Sequence, residues 1–129
     1  MPAPCHVWNW YAGWGLLLAA FVTGAALGLF FHQEDFWGGY ASFRRRIVRL
    51  GHIALAALGM VNLIYALSPW PDSSKWQTVP ASSCFVIGAV SMPAVCFLTG
   101  WKVTFRVWFV IPVVSLVMAT MLTLWGAFP

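Results

Sequence analysis

Apolar residues dominate four long stretches of this chain, and every Asp, Glu, Lys and Arg falls in the segments between them. The stretches, which contain no Asp, Glu, Lys or Arg, are residues 11–32, 51–68, 82–101 and 107–128. About 20 helical residues, rising about 1.5 Å each, are enough to cross the hydrocarbon of a bilayer. The pattern predicts an all-α integral membrane protein, with four transmembrane helices in an antiparallel up-down bundle.

Composition supports lipid as the main solvent of the chain. The 129 residues are 61% hydrophobic and only 8% charged, whereas soluble domains are about 25% charged. The net charge of +4 does not indicate nucleic-acid binding, because the basic residues flank the apolar stretches rather than forming a groove-reading element. We therefore expect one transmembrane domain that covers the whole chain.

The basic residues predict the orientation of the protein. Six of the seven lie in two connections, 33–50 and 102–106, and only Lys75 lies in the connection 69–81. Cytoplasmic connections carry an excess of Lys and Arg. We therefore expect 33–50 and 102–106 on the cytoplasmic side of an inner membrane, with 69–81 and both termini on the other side.

A basic segment precedes the second stretch. After the Gly38–Gly39 pair, apolar residues recur at helical spacing and arginines fill most other positions. This predicts a short basic interfacial helix or an extension of the second span, with Ser42 as its N-cap. The arginines are Arg44, Arg45, Arg46 and Arg49.

Arginines in a first helical turn oppose the helix dipole, so an anion is expected to compensate them. Lipid phosphate is one candidate, and acidic groups of a partner are the other. Glu34 and Asp35 precede the arginines by about ten residues. We expect these carboxylates to pair with the arginines and fix the connection; the alternative is a proton entry point beside His32.

Small and polar residues inside the stretches predict helix contacts. Gly24 and Gly28 have the GxxxG spacing, which lets a neighbouring backbone approach closely. The neighbour is either another helix of this chain, packing through Gly59, or a second protein. Asn62 is the most strongly polar side chain within a stretch, and we expect its amide to turn toward another helix.

Two histidines are candidate cofactor contacts. His32 and His52 lie near the ends of adjacent stretches and are expected at similar depth. Two imidazoles can ligate a b-type haem, one can bind the magnesium of a chlorophyll, and either can hydrogen-bond a quinone. The alternative for both residues is an ordinary interfacial histidine, which is common at the end of a span. No motif for another metal is present.

Cys5 and Cys84 both fall on the predicted outer side, where an oxidising compartment would allow them to form a disulfide. That bond would tie the N-terminal segment to the start of the third stretch. The chain has no CxxC motif, so a thiol–disulfide exchange activity is not indicated.

Three functions remain open, and none requires a catalytic residue of this chain. The first is a small accessory subunit of a respiratory or photosynthetic membrane complex, packing against other membrane subunits and lipids. The second is an electron-transfer or pigment-binding module that uses the two histidines. The third is an oligomeric channel or carrier, with a path lined by Asn62, Ser91, Pro93 and Ser115.

Overall fold

The chain folds into four long helices in the computed structural model, which describes residues 4–68 and 76–127. The helices are α1 (Pro4–Phe30), α2 (Phe43–Leu67), α3 (Thr78–Trp101) and α4 (Val110–Ala127), and the 3₁₀ segment Val103–Phe109 leads into α4. No residue in the described ranges belongs to a strand, so the all-α prediction is confirmed. Four helical segments are long and apolar enough to cross a bilayer, which supports a multi-pass membrane protein.

The basic segment forms the first turns of α2, so the second of its two predicted arrangements is found and no separate interfacial helix precedes α2. Ser42 is the N-cap, and its Oγ accepts a hydrogen bond of 3.2 Å from the backbone N–H of Arg45. The turn before this cap needs positive φ at Trp37, Gly38 and Gly39. Glycine adopts this conformation without steric cost, so the glycine pair allows α1 and α2 to reverse direction.

The connection between α3 and α4 is more structured than predicted. Residues 103–109 are 3₁₀-helical, and the α-helix begins only at Val110. Pro112 has no N–H to donate to the carbonyl four residues earlier, and its ring clashes with that carbonyl. Regular α-helix through Trp108 is therefore disfavoured, and the tighter 3₁₀ winding takes its place.

The helices form an open arrangement centred on α3. This helix contacts α1, α2 and α4, whereas α4 contacts only α3 and the 3₁₀ segment among the described elements. As a result, 44% of the most apolar part of α3 is buried, against 11% for the segment Val103–Gly126 that contains the 3₁₀ turns and most of α4. The protein is therefore a three-helix unit, α1 to α3, with α4 packed on its outer side.

Glycines allow close approach where helices cross. A Cβ built on Gly13 of α1 would lie 2.9 Å from the carbonyl oxygen of Gly59 on α2. Farther along, Gly24 of α1 lies against the ring of His52. Contact positions therefore increase along α1 while they decrease along α2, as in an antiparallel pair.

The prediction for Gly28 needs correction as an internal contact. Nothing lies within 4 Å of a Cβ built at this position, because the α1–α2 contact follows the Gly13 and Gly24 face. Gly59 does lie at the crossing, but its partner is Gly13 rather than the GxxxG pair. A stripe spaced three or four residues apart, and not the glycine motif, determines the buried face of α1.

Candidate functional site

A cluster of neutral polar side chains joins three helices near one end of the protein. Asn9 of α1 donates from Nδ2 to Oδ1 of Asn62 on α2 over 2.8 Å. Ser82 of α3 donates from Oγ to Oδ1 of Asn9, and Nδ2 of Asn62 donates to the carbonyl oxygen of Leu58 over 2.9 Å. These three residues, Asn9, Asn62 and Ser82, are here called the asparagine cluster.

The asparagine cluster is inaccessible to solvent. Asn9 and Asn62 are 0% exposed, and Ser82 is 3% exposed. Asn62 turns toward another helix, as predicted. Because the amides and the hydroxyl bond to each other and to backbone, this cluster has the geometry of an interhelical lock rather than of a ligand pocket.

Asn9 is the residue that the sequence interpretation missed. It was placed ahead of the first span, yet it lies inside α1. Its spacing could have indicated its burial. The buried positions along this part of α1 recur every three or four residues, and they are Asn9, Gly13, Leu16 and Ala20. A polar residue that continues an apolar stripe at this spacing is expected to face the same neighbour.

His52 lies between α1 and α2, with Nδ1 3.1 Å from the hydroxyl of Thr23. That hydroxyl donates its proton to the carbonyl oxygen of Ala19 over 2.7 Å. Since its proton is used there, the hydroxyl accepts from the Nδ1–H of His52 in this contact. The ring lies against Gly24, where a Cβ would be 2.9 Å from Cε1.

His32 has different surroundings. It lies in the turn after α1, is exposed, and lines a surface depression with Glu34 and Arg45. The predicted pairing of the two imidazoles in one site is therefore not formed, because His52 packs against α1 at Thr23 while His32 lies beyond the end of that helix. Whether either histidine alone contacts a cofactor stays a prediction.

The end of the protein opposite the asparagine cluster holds a buried guanidinium. Arg45 is only 3% exposed. Its Nη2 donates to the carbonyl oxygen of Phe31 over 2.7 Å, and Nη1 lies 3.5 Å from the carbonyl oxygen of Gln33. The carbonyl of Gln33 also accepts from the N–H of Phe36 over 3.2 Å. The carbonyl of Phe31 lies just beyond the C-terminus of α1, where backbone acceptors lack intrahelical donors, so Arg45 of α2 caps the end of α1 through Phe31.

Aromatic rings hold the arginines in place. The guanidinium carbon of Arg45 lies 4.6 Å from the ring centre of Phe31 and 5.2 Å from that of Tyr40. Arg49 lies 4.9 Å from the Tyr40 ring and donates to its hydroxyl over 3.0 Å. Arg44 lies 5.6 Å from the Trp37 ring. These three arginines and three rings are here called the arginine cluster.

The predicted pairing of Glu34 and Asp35 with these arginines is not found. In residues 4–68 and 76–127, no ion pair joins either carboxylate to an arginine, and Arg45 instead contacts backbone carbonyls and aromatic rings. The aromatic residues of the turn occupy the positions at which carboxylates were expected. Arg46, in contrast, is exposed.

An open depression adjoins the arginine cluster. Its volume is about 430 Å³, within the range of small-molecule sites. The lining residues are Phe31, His32, Glu34, Tyr40 and Arg45. The Nε–H of Arg45 is buried and has no hydrogen-bond acceptor in the protein, which leaves one strong donor of a buried cation unused.

The predicted disulfide between Cys5 and Cys84 is not formed in this structure, because Cys84 is a free thiol. The side chain of Cys5 lies outside the described part of the chain. The oligomeric path lined by Asn62, Ser91, Pro93 and Ser115 stays a prediction. Asn62 is locked in the asparagine cluster, whereas Ser91 donates to the carbonyl oxygen of Ile87 in its own helix.

Comparison with known proteins adds no relative. No family model, no curated protein and no solved structure matches this chain. Function is therefore argued from the geometry of the two clusters and of the helices that carry them.

Proposed function

We propose that the protein is a small, non-catalytic accessory subunit of a larger membrane assembly of the electron-transfer type. The observation that supports it is the use of the intramembrane polar groups. The asparagine cluster and the Thr23–His52 contact bind helix to helix, and Thr120 and Thr123 donate to carbonyls of their own helix. Polar groups whose hydrogen bonds are made within the protein stabilise the helix bundle and are not available to a substrate.

Helix α4 is the face on which a partner helix would pack. It contacts only α3 and the 3₁₀ segment among the described elements, and its exposed side carries large apolar residues such as Val114 and Met118. Within a bilayer, lipid tails are as apolar as these side chains, so association must come from packing and from contacts at the ends.

Site-specific photocrosslinking tests this role. A photoreactive side chain replaces Val114 on α4 or, as the matched control, Phe21 on α1, since both positions are exposed. Membranes of the natural host are extracted into lipid-bearing polymer particles. We expect one discrete protein adduct from position 114, in constant ratio to the chain, and none from position 21. Lipid adducts alone at both positions, with a particle containing only this chain, would contradict the subunit role.

The orientation is part of the same proposal, with the arginine cluster in the cytoplasm. In a background without reactive cysteines, Arg46→Cys and Trp125→Cys place thiols at exposed positions at opposite ends of the helices. A membrane-impermeant maleimide should label position 125 in intact cells and position 46 only after permeabilisation. The reverse pattern would invert the topology.

A pigment or haem module is the second candidate, and one observation favours it. The Nδ1–H of His52 is held by Thr23, which is how protein groups orient a histidine whose other nitrogen ligates a metal. Purified protein should then show a Soret or red absorption band that His52→Ala abolishes. A colourless, folded preparation from native membranes would remove this candidate and leave the subunit role untouched.

A further inference from the structure

The depression beside the arginine cluster presents charges of both signs that are not paired with each other. Arg45 and Glu34 both line it, yet no ion pair joins them in the part of the chain that the structure describes. The buried Nε–H of Arg45 also has no acceptor. A small ligand with one anionic and one cationic group could pair with both Arg45 and Glu34.

We propose that this depression binds the phosphoethanolamine headgroup of a membrane lipid. The phosphate faces Arg45 and the ring of His32, and the primary ammonium faces the carboxylate of Glu34. Guanidinium–phosphate pairs are among the stronger charge-assisted hydrogen bonds in proteins. An ammonium supplies three donors, which suits a carboxylate that accepts through two oxygens.

Position along the helices supports a lipid source for this headgroup. The depression begins at Phe31, directly after the last residue of α1, and continues to Arg45 in the first turn of α2. Trp37 and Tyr40 belong to the same turn, and these two residue types are enriched at the level of lipid headgroups. A lipid bound here keeps its acyl chains beside the apolar surfaces of α1 and α2.

The walls favour phosphoethanolamine over the other common headgroups. A purely anionic headgroup would leave Glu34 unpaired beside a phosphate, since like charges at close range repel. A quaternary choline is best held by free aromatic faces. The rings of Phe31 and Tyr40 already face the guanidinium of Arg45, and choline has no N–H to donate to Glu34.

The test is lipid competition on the full-length protein by native mass spectrometry. Delipidated protein receives equal amounts of phosphatidylethanolamine, phosphatidylglycerol and phosphatidylcholine with identical acyl chains. We expect the ethanolamine lipid to be retained in preference to both others. In Glu34→Gln the preference over phosphatidylglycerol should fall about two- to fivefold, the range of one exposed ion pair.

Asp35→Asn is the matched control, because Asp35 is the adjacent exposed carboxylate and does not line the depression. It should leave the lipid preference unchanged. Equal losses in Glu34→Gln and Asp35→Asn would overturn the proposal, because the effect would then come from general surface charge. A wild-type preference for phosphatidylglycerol, or no preference at all, would overturn it as well.

Soluble O-phosphoethanolamine distinguishes a free ligand from a lipid. If the headgroup alone raises the melting temperature of wild-type protein as far as the lipid does, the depression is a metabolite site and the lipid proposal fails. Arg45→Lys keeps the positive charge but loses the Nε–H. When this variant remains folded by circular dichroism, we expect it to retain less ethanolamine lipid than wild type; unchanged retention would contradict the role of Arg45.

Discussion

The two polar clusters satisfy buried groups in different ways. The asparagine cluster joins side chains of three helices to each other, so its amides and hydroxyl find their hydrogen-bond partners within the protein. The arginine cluster joins a guanidinium to backbone carbonyls and to aromatic faces. One end of the protein is closed by neutral groups, whereas the other end retains a formal charge.

This difference suits the asparagine cluster to stabilising the fold and the arginine cluster to binding a ligand. An asparagine pair with a serine has few donors, and three helices supply acceptors for them. A guanidinium has five donors, and the carbonyls of Phe31 and Gln33, just after α1, accept from only two nitrogens of Arg45. Surplus donors beside an open depression are the condition under which a ligand can add to the structure without breaking an existing contact. We therefore expect the largest structural effects and the ligand effects to fall at different residues.

Removal of the Arg45 side chain should have the largest effect on stability. Arg45→Ala leaves the carbonyl of Phe31 without its charged donor and removes the 3.5 Å contact to Gln33, whose carbonyl keeps the N–H of Phe36. It also opens a space between the rings of Phe31 and Tyr40. We expect a loss of about 2–4 kcal/mol in the free energy of unfolding, since hydrogen bonds to charged groups and buried side-chain volume are both removed. Equilibrium unfolding in mixed micelles measures it.

Arg46→Ala is the control for this substitution, because Arg46 occupies the next position in α2 but is exposed. Its effect should stay within about 0.5 kcal/mol, as for most surface changes. If the two substitutions destabilise equally, the arginine cluster acts through its total charge rather than through the capping contacts of Arg45, and the contrast between the two ends is weakened.

Glycine substitutions compare the two ends of α1 directly. Gly13→Ala places a Cβ 2.9 Å from the carbonyl oxygen of Gly59, one turn from the asparagine cluster. Moving a backbone at a helix crossing is costly, so we expect a loss of about 1–3 kcal/mol. Gly28→Ala, near the arginine cluster, meets nothing within 4 Å and should be neutral or stabilising, because alanine is the better helix former.

The same unfolding assay measures both glycine variants. Destabilisation by Gly28→Ala in native membranes but not in purified protein would indicate that the GxxxG face packs against a second protein. Destabilisation by Gly28→Ala in the purified chain would contradict the described α1–α2 crossing.

A double-mutant cycle tests the closure of the asparagine cluster. Asn9→Ala and Asn62→Ala each leave the partner amide without one bond, and each should cost about 1–2 kcal/mol. The double variant should lose less stability than the sum of the two single losses, because it contains no buried amide whose partner is missing. Additive losses would mean that the two side chains are not coupled, and the neutral end would lose its description as a lock.

The apolar pattern predicts the helices well because hydrocarbon requires every backbone group in a span to be bonded internally. Four apolar stretches of suitable length therefore specify four helices almost independently of side-chain detail. Helix ends were predicted less well. Asn9 can lie inside α1 because side chains of neighbouring helices supply hydrogen-bond partners for its amide. Composition alone does not reveal such partners.

Side-chain partners depend on geometry that spacing does not fix. Glu34 and Asp35 are close to the arginines along the chain, but the glycine turn determines which groups meet. It brings the Tyr40 ring and the carbonyl of Phe31 to Arg45 instead. His32 and His52 were expected at similar depth from their distance to the charged connection. Helix α1 ends before His32, whereas His52 packs between α1 and α2 beside Thr23.

The contact between Thr23 and His52 should have the smallest effect, and it belongs to neither end. Thr23→Val keeps the shape of the side chain but removes the acceptor for the Nδ1–H of His52. Interhelical hydrogen bonds in membranes average about 0.6 kcal/mol, so the loss should be about that size in the unfolding assay. Thr120→Val is the control, because its hydroxyl donates only to the carbonyl oxygen of Leu116 in its own helix, and it should change stability by less. A loss above about 2 kcal/mol for Thr23→Val would exceed the usual range for such bonds. The middle of α1 would then be held as firmly as either end, and the division of the protein into a closed neutral end and an open charged end would no longer explain where its stability resides.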